Sequence, residues 1–173
     1  MRFSVPHDHG LRPVGDDDHS FLIDLRNDPE VLRHVTHPHP ITMDQHLRWW
    51  HALSQDQRQL RLIFTVGGAS VGLTKFYDID LHNGNCGVGA DIHRDWRGRG
   101  LATSMWTLML QRCFDGMELH RVSLTTAEYN HVALRVYHKL GFREEGRAVQ
   151  SLRRDGRFWD QVLMYMLRDG WAT

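Results

Sequence analysis

Apolar residues first recur at helical spacing just after Asp16-Asp17-Asp18. Phe21, Leu22, Leu25 and Val31 read there as the inner face of one or two short helices. Before them, residues 1–10 read as a flexible end and residues 11–14 as a short first strand. Pro38 and Pro40 break the chain. Thr42 is placed to cap a further helix, in which Leu47, Trp50 and Leu53 recur at spacing three. From Leu60 the period changes. Leu60–Val66 is a β run, Gly67-Gly68 is a tight-turn signal, and residues 70–77 follow as its partner. Asn83-Gly84 marks the next turn, before a strand over residues 85–93. A helix is expected over residues 101–114, with Thr103, Thr107 and Gln111 as its polar stripe and Met105, Trp106, Met109 and Leu110 as core. Arg121–Ala127 is strand-like. Asn130 can cap a helix whose inner face is Ala133, Val136, Tyr137 and Leu140, and Gly141 suits its left-handed stop. Two last β runs flank Asp155-Gly156, a type I′ hairpin signal. The fold class is α/β: a single mixed, mostly antiparallel twisted sheet flanked by helices, in one domain over residues 11–170.

Composition narrows the function classes. The 173 residues suit one core. Twenty-one basic side chains balance twenty-one acidic ones, which argues against nucleic acid or an anionic membrane as partner. No apolar run approaches the ~18 residues of a membrane span, and the first residues lack a signal-peptide core. Two cysteines, Cys86 and Cys113, form no disulfide framework. A cytoplasmic protein is expected. His7-Asp8-His9 and His34-x-x-His37-x-His39 could suggest a metal site, but prolines interrupt the second set and no cysteine completes either. No metal is expected. An acyl-cysteine intermediate is not expected: Cys113 occupies an apolar helical position, and Cys86 lacks an activating base. Arg153, Arg154 and Arg157 beside the hairpin turn read as solvated, with an anionic substrate or phosphate as the alternative.

The chemistry concentrates in Arg97-Gly98-Arg99-Gly100-Leu101-Ala102, between a strand and a helix. Glycines let backbone approach a bulky anion. The helix start adds unpaired N–H groups and the positive end of its dipole. The turn is neither a Walker loop nor a dinucleotide fingerprint.

This segment resembles the coenzyme A element, Arg/Gln-x-x-Gly-x-Gly/Ala, of the GCN5-related N-acetyltransferase (GNAT) family. Asn130-x-x-Ala133-x-x-x-Tyr137-x-x-x-Gly141-Phe142 matches the family's second signature, and the Asp155-Gly156 hairpin resembles its last two strands. The resemblance implies a GNAT fold with a splayed central strand pair. It implies direct transfer from acetyl-CoA to a primary amine, without metal. It assigns the pantetheine arm to the backbone of Ala90, Asp91 and Ile92. The pyrophosphate falls to the amides of Arg97, Gly98, Arg99, Gly100, Leu101 and Ala102. Asn130 and Ala133 line the cofactor's other side, and Tyr137 is the residue near the thioester sulfur. Many relatives carry a glutamate where this chain has Gly87, so the general base is left open between Asp91, Glu128 and water.

The tail resembles the branch of ribosomal-protein and polyamine acetyltransferases. Arg26-Asn27-x-x-Glu30-Val31, with Ile41, His46-Leu47 and Trp50, is similar to enzymes acting on nucleotide-linked amino sugars, as in pseudaminic acid biosynthesis. The expected acceptor is an amino sugar or sugar-like amine, with a polyamine or a protein N-terminus as alternatives. A non-catalytic acetyl-CoA-binding module is the alternative of a different class. A homodimer is the one protein partner left open.

Overall fold

The change of period at Leu60 is where helices give way to sheet. A computed structural model describes residues 3–172. Strand β1 (His9–Pro13) leads through a short 3₁₀ turn into α1 (His19–Asn27), α2 (Pro29–His34) and α3 (Met43–Ser54). Then come β2 (Leu60–Val66), β3 (Ala69–Asp80), β4 (Asn85–Ile92), α4 (Leu101–Gln111), β5 (Arg121–Ala127), α5 (His131–Leu140), β6 (Arg143–Arg154), β7 (Arg157–Leu167) and α6 (Arg168–Ala172). The seven strands form one sheet in the order β1-β2-β3-β4-β5-β7-β6. Every pairing is antiparallel except β4 with β5. That parallel pair needs a crossover, which α4 supplies.

The turn residues behave as their chemistry requires. Gly67, Gly68, Asp155 and Gly156 all adopt positive φ, which closes the two hairpins with the twist of their strands. Asn130 accepts the Ala133 amide at 3.2 Å, and Gly141 ends α5 at φ 100°.

One sheet face carries Leu62, Phe64, Phe76 and Val88 into a core with Met105, Trp106, Met109 and Leu110 of α4 and Tyr137 and Leu140 of α5. Cys86 and Cys113 lie in this core with sulfurs 3.8 Å apart. The neighbouring Cys86 thiol and burial push the Cys113 thiol far up, so it stays protonated. On the opposite face Ile63 is buried, as are Leu22 and Leu25 of α1, which lies against β3.

Four local expectations are corrected. The first strand begins at His9, where it pairs with Val66, so His9 and Gly10 are sheet; residues 1 and 2 lie outside the described residues. In α3 the inner stripe is Met43, His46, Trp50 and Leu53, while Leu47 is 42% exposed. A spacing of three drifts off a 3.6-residue helix, and His46 takes the buried position instead. Thr107 is buried because its hydroxyl donates to the Thr103 carbonyl at 2.8 Å and so needs no water. The helix expected to residue 114 leaves α geometry after Gln111. Arg112–Gly116 is a wider turn closed by the Met117 amide on the Arg112 carbonyl at 2.9 Å. It keeps Cys113 and Phe114 in the core.

Gly87 has a packing reason. A Cβ built there would lie 2.1 Å from the Tyr77 ring, which covers this stretch of β4. Gly87→Ala must therefore displace the ring or the strand. A loss of roughly 1–3 kcal/mol is expected from equilibrium urea unfolding, the size typical of overpacking. Unchanged stability would show that the ring moves aside freely.

Candidate active site

β4 and β5 are paired only at Asn85↔Arg121, Cys86↔Val122 and Gly87↔Ser123. Beyond these residues they diverge. β4 runs on to Ile92 with its other edge still held by β3, through Thr74↔Ala90, Leu73↔Asp91 and Gly72↔Ile92. The β5-facing edge of residues 88–92 thus presents backbone groups with no strand partner, an edge suited to an extended amide-bearing ligand. Ala90, Asp91 and Ile92 all lie on it.

The strand leads into a turn braced from α1 and α2. His93 Nδ1 accepts the Asp95 amide at 3.3 Å, leaving Nε2 to donate to Asp24 at 2.8 Å. Arg94 also donates to Asp24. The His93 and Arg94 hydrogen bonds hold the Asp24 carboxyl below the usual range. Arg97 donates from Nε to the Ile92 carbonyl at 2.9 Å and from Nη1 to Asp28 at 3.1 Å. Asp28 is buried and also caps α2, accepting the Glu30 and Val31 amides. Burial alone would raise its pKa; Arg97 and the two amides outweigh burial and lower it. Arg99 donates to the Asp95 carbonyl and lies over the Trp96 ring at 4.8 Å. The two arginines of the turn therefore differ: Arg97 braces the fold, while Arg99 stays on the exposed surface.

Gly98 and Gly100 sit at φ 75° and 74°, and a Cβ at either would meet nothing within 4 Å. Gly100 precedes α4 without a side-chain cap, so the first amides of α4 face open space. Such a cradle accepts an anion, and its positive φ angles explain why glycine stands there.

α5 carries Tyr137 into the core, near enough to Asp91 of β4 to feel its charge. Its ring packs edge-on against Trp106 at 4.9 Å and Phe142 at 5.9 Å. Burial, then the charges of Asp91 and Tyr77, push the phenol well above its ordinary value. It is therefore neutral at physiological pH and can donate a proton. Asn130 spends its side chain on the α5 cap, beside Ala133.

Between α1, α3 and the sheet lies a cavity of about 370 Å³. Trp49 and Trp50 wall it, and Arg26, Arg61, Lys75 and Asp91 also line it. Asp91 and Lys75 form an ion pair. His46 lies at its edge against His19, at 3.0 Å, and burial lowers its pKa. The segment between α2 and α3 that borders the cavity is pinned by side chains. Asn27 exchanges two hydrogen bonds with Ile41, Arg26 donates to the His37 carbonyl, and Arg154 donates to the Arg33 and Val35 carbonyls.

Of the two acidic candidates, Asp91 lines the cavity. Glu128 instead accepts the Asp160 amide and pairs with Arg147. Arg154 clasps the end of α2, while Arg153 and Arg157 lie over Phe158 and Trp159, so none of the three simply faces water. Among the described residues no three His, Cys, Asp or Glu side chains converge as a metal site would require. Sequence reasoning missed Asp24, Asp28, Arg61 and Lys75. The charges of Arg26 and Arg61 do interrupt an apolar stripe and an apolar strand, and that was the available signal.

The family model described as "Acetyltransferase (GNAT) domain" matches residues 9–143. An uncharacterized N-acetyltransferase of Bacillus subtilis, YokL, is 26% identical over 143 residues, covering 82% of this chain and 81% of that protein. The L-amino acid N-acetyltransferase AaaT of Escherichia coli is 26% identical over 155 residues, covering 85% and 90%. The spermidine N-acetyltransferase of Vibrio cholerae, solved with CoA and spermine, superposes with a TM-score of 0.91 at 22% identity, over 97% of this chain and 100% of that one. No helix among the described residues is long and apolar enough to cross a membrane.

The Asp28–Arg97 pair yields a pH-dependent prediction. A carboxylate with a lowered folded pKa stabilises fully above its unfolded value, near 4, and loses that contribution as pH falls through the folded value. Asp28→Asn keeps an oxygen for the cap but removes the charge. It should cost about 1–3 kcal/mol at pH 7 and distinctly less near pH 3, by urea unfolding at both pH values. An equal cost at both would mean that packing, not charge, is lost.

Proposed function

The chain belongs to the GNAT acetyltransferase family and is an acetyl-CoA-dependent N-acetyltransferase; from that premise we propose how its site is divided and what it acetylates. The carrying observation is the position of Asp91, whose backbone lies on the free edge of β4 while its side chain lines the cavity. Thioester and amine therefore meet at the splay.

On the cofactor side, the edge of Ala90, Asp91 and Ile92 takes the pantetheine arm. The amides from Arg97 through Ala102 take the pyrophosphate, and Asn130 and Ala133 at the start of α5 line the other side. The open space in front of Gly98 and Gly100 supports this fit. Acetyl-CoA supplies an acyl group already activated as a thioester.

On the acceptor side, the Asp91 carboxylate holds the ammonium, and the departing proton passes through it or water to solvent. The free amine nitrogen bonds the acetyl carbon, and free N–H groups of the β4 edge receive the charge gathered on the carbonyl oxygen. As the carbon–sulfur bond breaks, Tyr137 donates its proton to the sulfur and regains one from solvent. The products are an amide and coenzyme A. Cys86 and Cys113 take no part, being buried in the core.

The acceptor we favour is an amino sugar or similarly compact amine, because Trp49 and Trp50 line the cavity and an indole can pack against a sugar ring. A polyamine is the second reading, carried by the likeness to the spermidine N-acetyltransferase.

Thiol release from acetyl-CoA against amino sugars, polyamines and amino acids tests the reading, with Tyr137→Phe as the mechanistic control. The variant keeps the ring packing and should lower kcat by about 10²- to 10⁴-fold, with the acetyl-CoA KM little changed. Turnover within about threefold of wild type would exclude a general acid of the usual size at Tyr137.

A further inference from the structure

The cavity beside Asp91 is unusually cationic for a site that must take an ammonium. Three permanent cations, Arg26, Arg61 and Lys75, line it against a single carboxylate, Asp91, which Lys75 already engages. Arg26 is the informative one. It follows Leu25 on α1 and uses Nη2 to hold the His37 carbonyl at 2.8 Å. Its Nη1 is buried and has no hydrogen-bond partner. Arg61 shows the same feature on a smaller scale: its Nη atoms are taken by Leu60, Phe76 and Gln59, while its Nε is buried and unpaired. A buried donor without an acceptor is costly, and proteins seldom leave one unmet. Two of them on charged groups lining one cavity point to a ligand that brings the acceptor atoms. A guanidinium is the side chain best matched to a carboxylate or phosphate.

We propose that the acceptor carries an anionic oxygen group, a carboxylate or phosphate, close to its amine, and that Arg26 Nη1 receives that group while Asp91 holds the ammonium. The inference rests on this cavity being the acceptor site. Arg26 and Asp91 are near enough to act on each other electrostatically, so the two ends of the acceptor are close together. That spacing suits an α-amino acid or a phosphorylated amino sugar. A polyamine brings only positive charge: Asp91 can hold one of its ammonium groups, while the others face three like charges with no second carboxylate lining the cavity.

The test compares kcat/KM for matched acceptors by thiol release: glucosamine 6-phosphate against glucosamine, L-methionine against L-methioninamide, and spermidine alone. The anionic member of at least one pair should be preferred by roughly 10- to 100-fold, the size of one charged hydrogen bond. The pair that shows it names the source of the anion. Spermidine should be slower than either. Arg26→Gln should collapse the preference to within about threefold, and Arg26→Lys should restore part of it by keeping a cation. The acetyl-CoA KM serves as internal control and should not move. Neutral twins that match their anionic partners, or spermidine as the fastest acceptor, would overturn the proposal on the wild-type protein alone. A preference that survives Arg26→Gln would overturn the role of Arg26. If acetyl-CoA binds but no amine releases thiol, the acceptor-site reading falls first and this inference falls with it.

Discussion

β4 and β5 are hydrogen-bonded through three residue pairs, and past Gly87 and Ser123 the two strands separate. A gap in a sheet is costly, because each strand there has backbone groups that must find water or another partner. The rest of the molecule is arranged around keeping that gap open. α4 crosses over between the two strands, and its Trp106 packs with Tyr137 and Phe142 in the core.

Asp28 links the two halves of the site. It caps α2, whose end leads into the segment bordering the cavity beside Asp91, and it holds Arg97 of the glycine turn. Arg97 in turn holds the last carbonyl of β4. A single buried carboxylate thus ties the turn, the strand end and the start of α2 to one another. Hydrogen bonds to charged groups are among the stronger polar contacts in proteins, and burial makes an unpaired member costly. The turn is therefore braced before any ligand arrives.

The two sides of the site follow different physical rules. On the proposed reading, the cofactor side works through backbone, with a strand edge, glycine conformations and helix amides, and the acceptor side through side chains on α1, α3 and β2 to β4. Here it combines an aromatic wall with a cationic floor. That division fits a family whose relatives bear the names of different amines, such as a spermidine and an L-amino acid N-acetyltransferase.

Much of this was legible in the chain itself, for a local reason. Asp155-Gly156, Asn130 and Gly141 act within a few residues of themselves, so turn type and cap can be read from residue chemistry. The β run of Leu60–Val66 and the Arg97-Gly98-Arg99-Gly100 run are local as well: the first is β2, and the second is the turn before α4 in which both glycines take positive φ. Tertiary contact decided the rest. Nothing near Gly87 shows that the Tyr77 ring lies over it, since the two meet only across the β3–β4 register. The sequence assigned the Arg97 amide to a pyrophosphate but held no sign that the Arg97 side chain binds Asp28, 69 positions away. Arg26, Arg61, Lys75 and Asp91 belong to four separate elements, α1, β2, β3 and β4, and only the packing of the helices on the sheet makes them one cavity. Local chemistry thus determined the elements and the glycine turn, while long-range packing determined the charge and shape of the cavity.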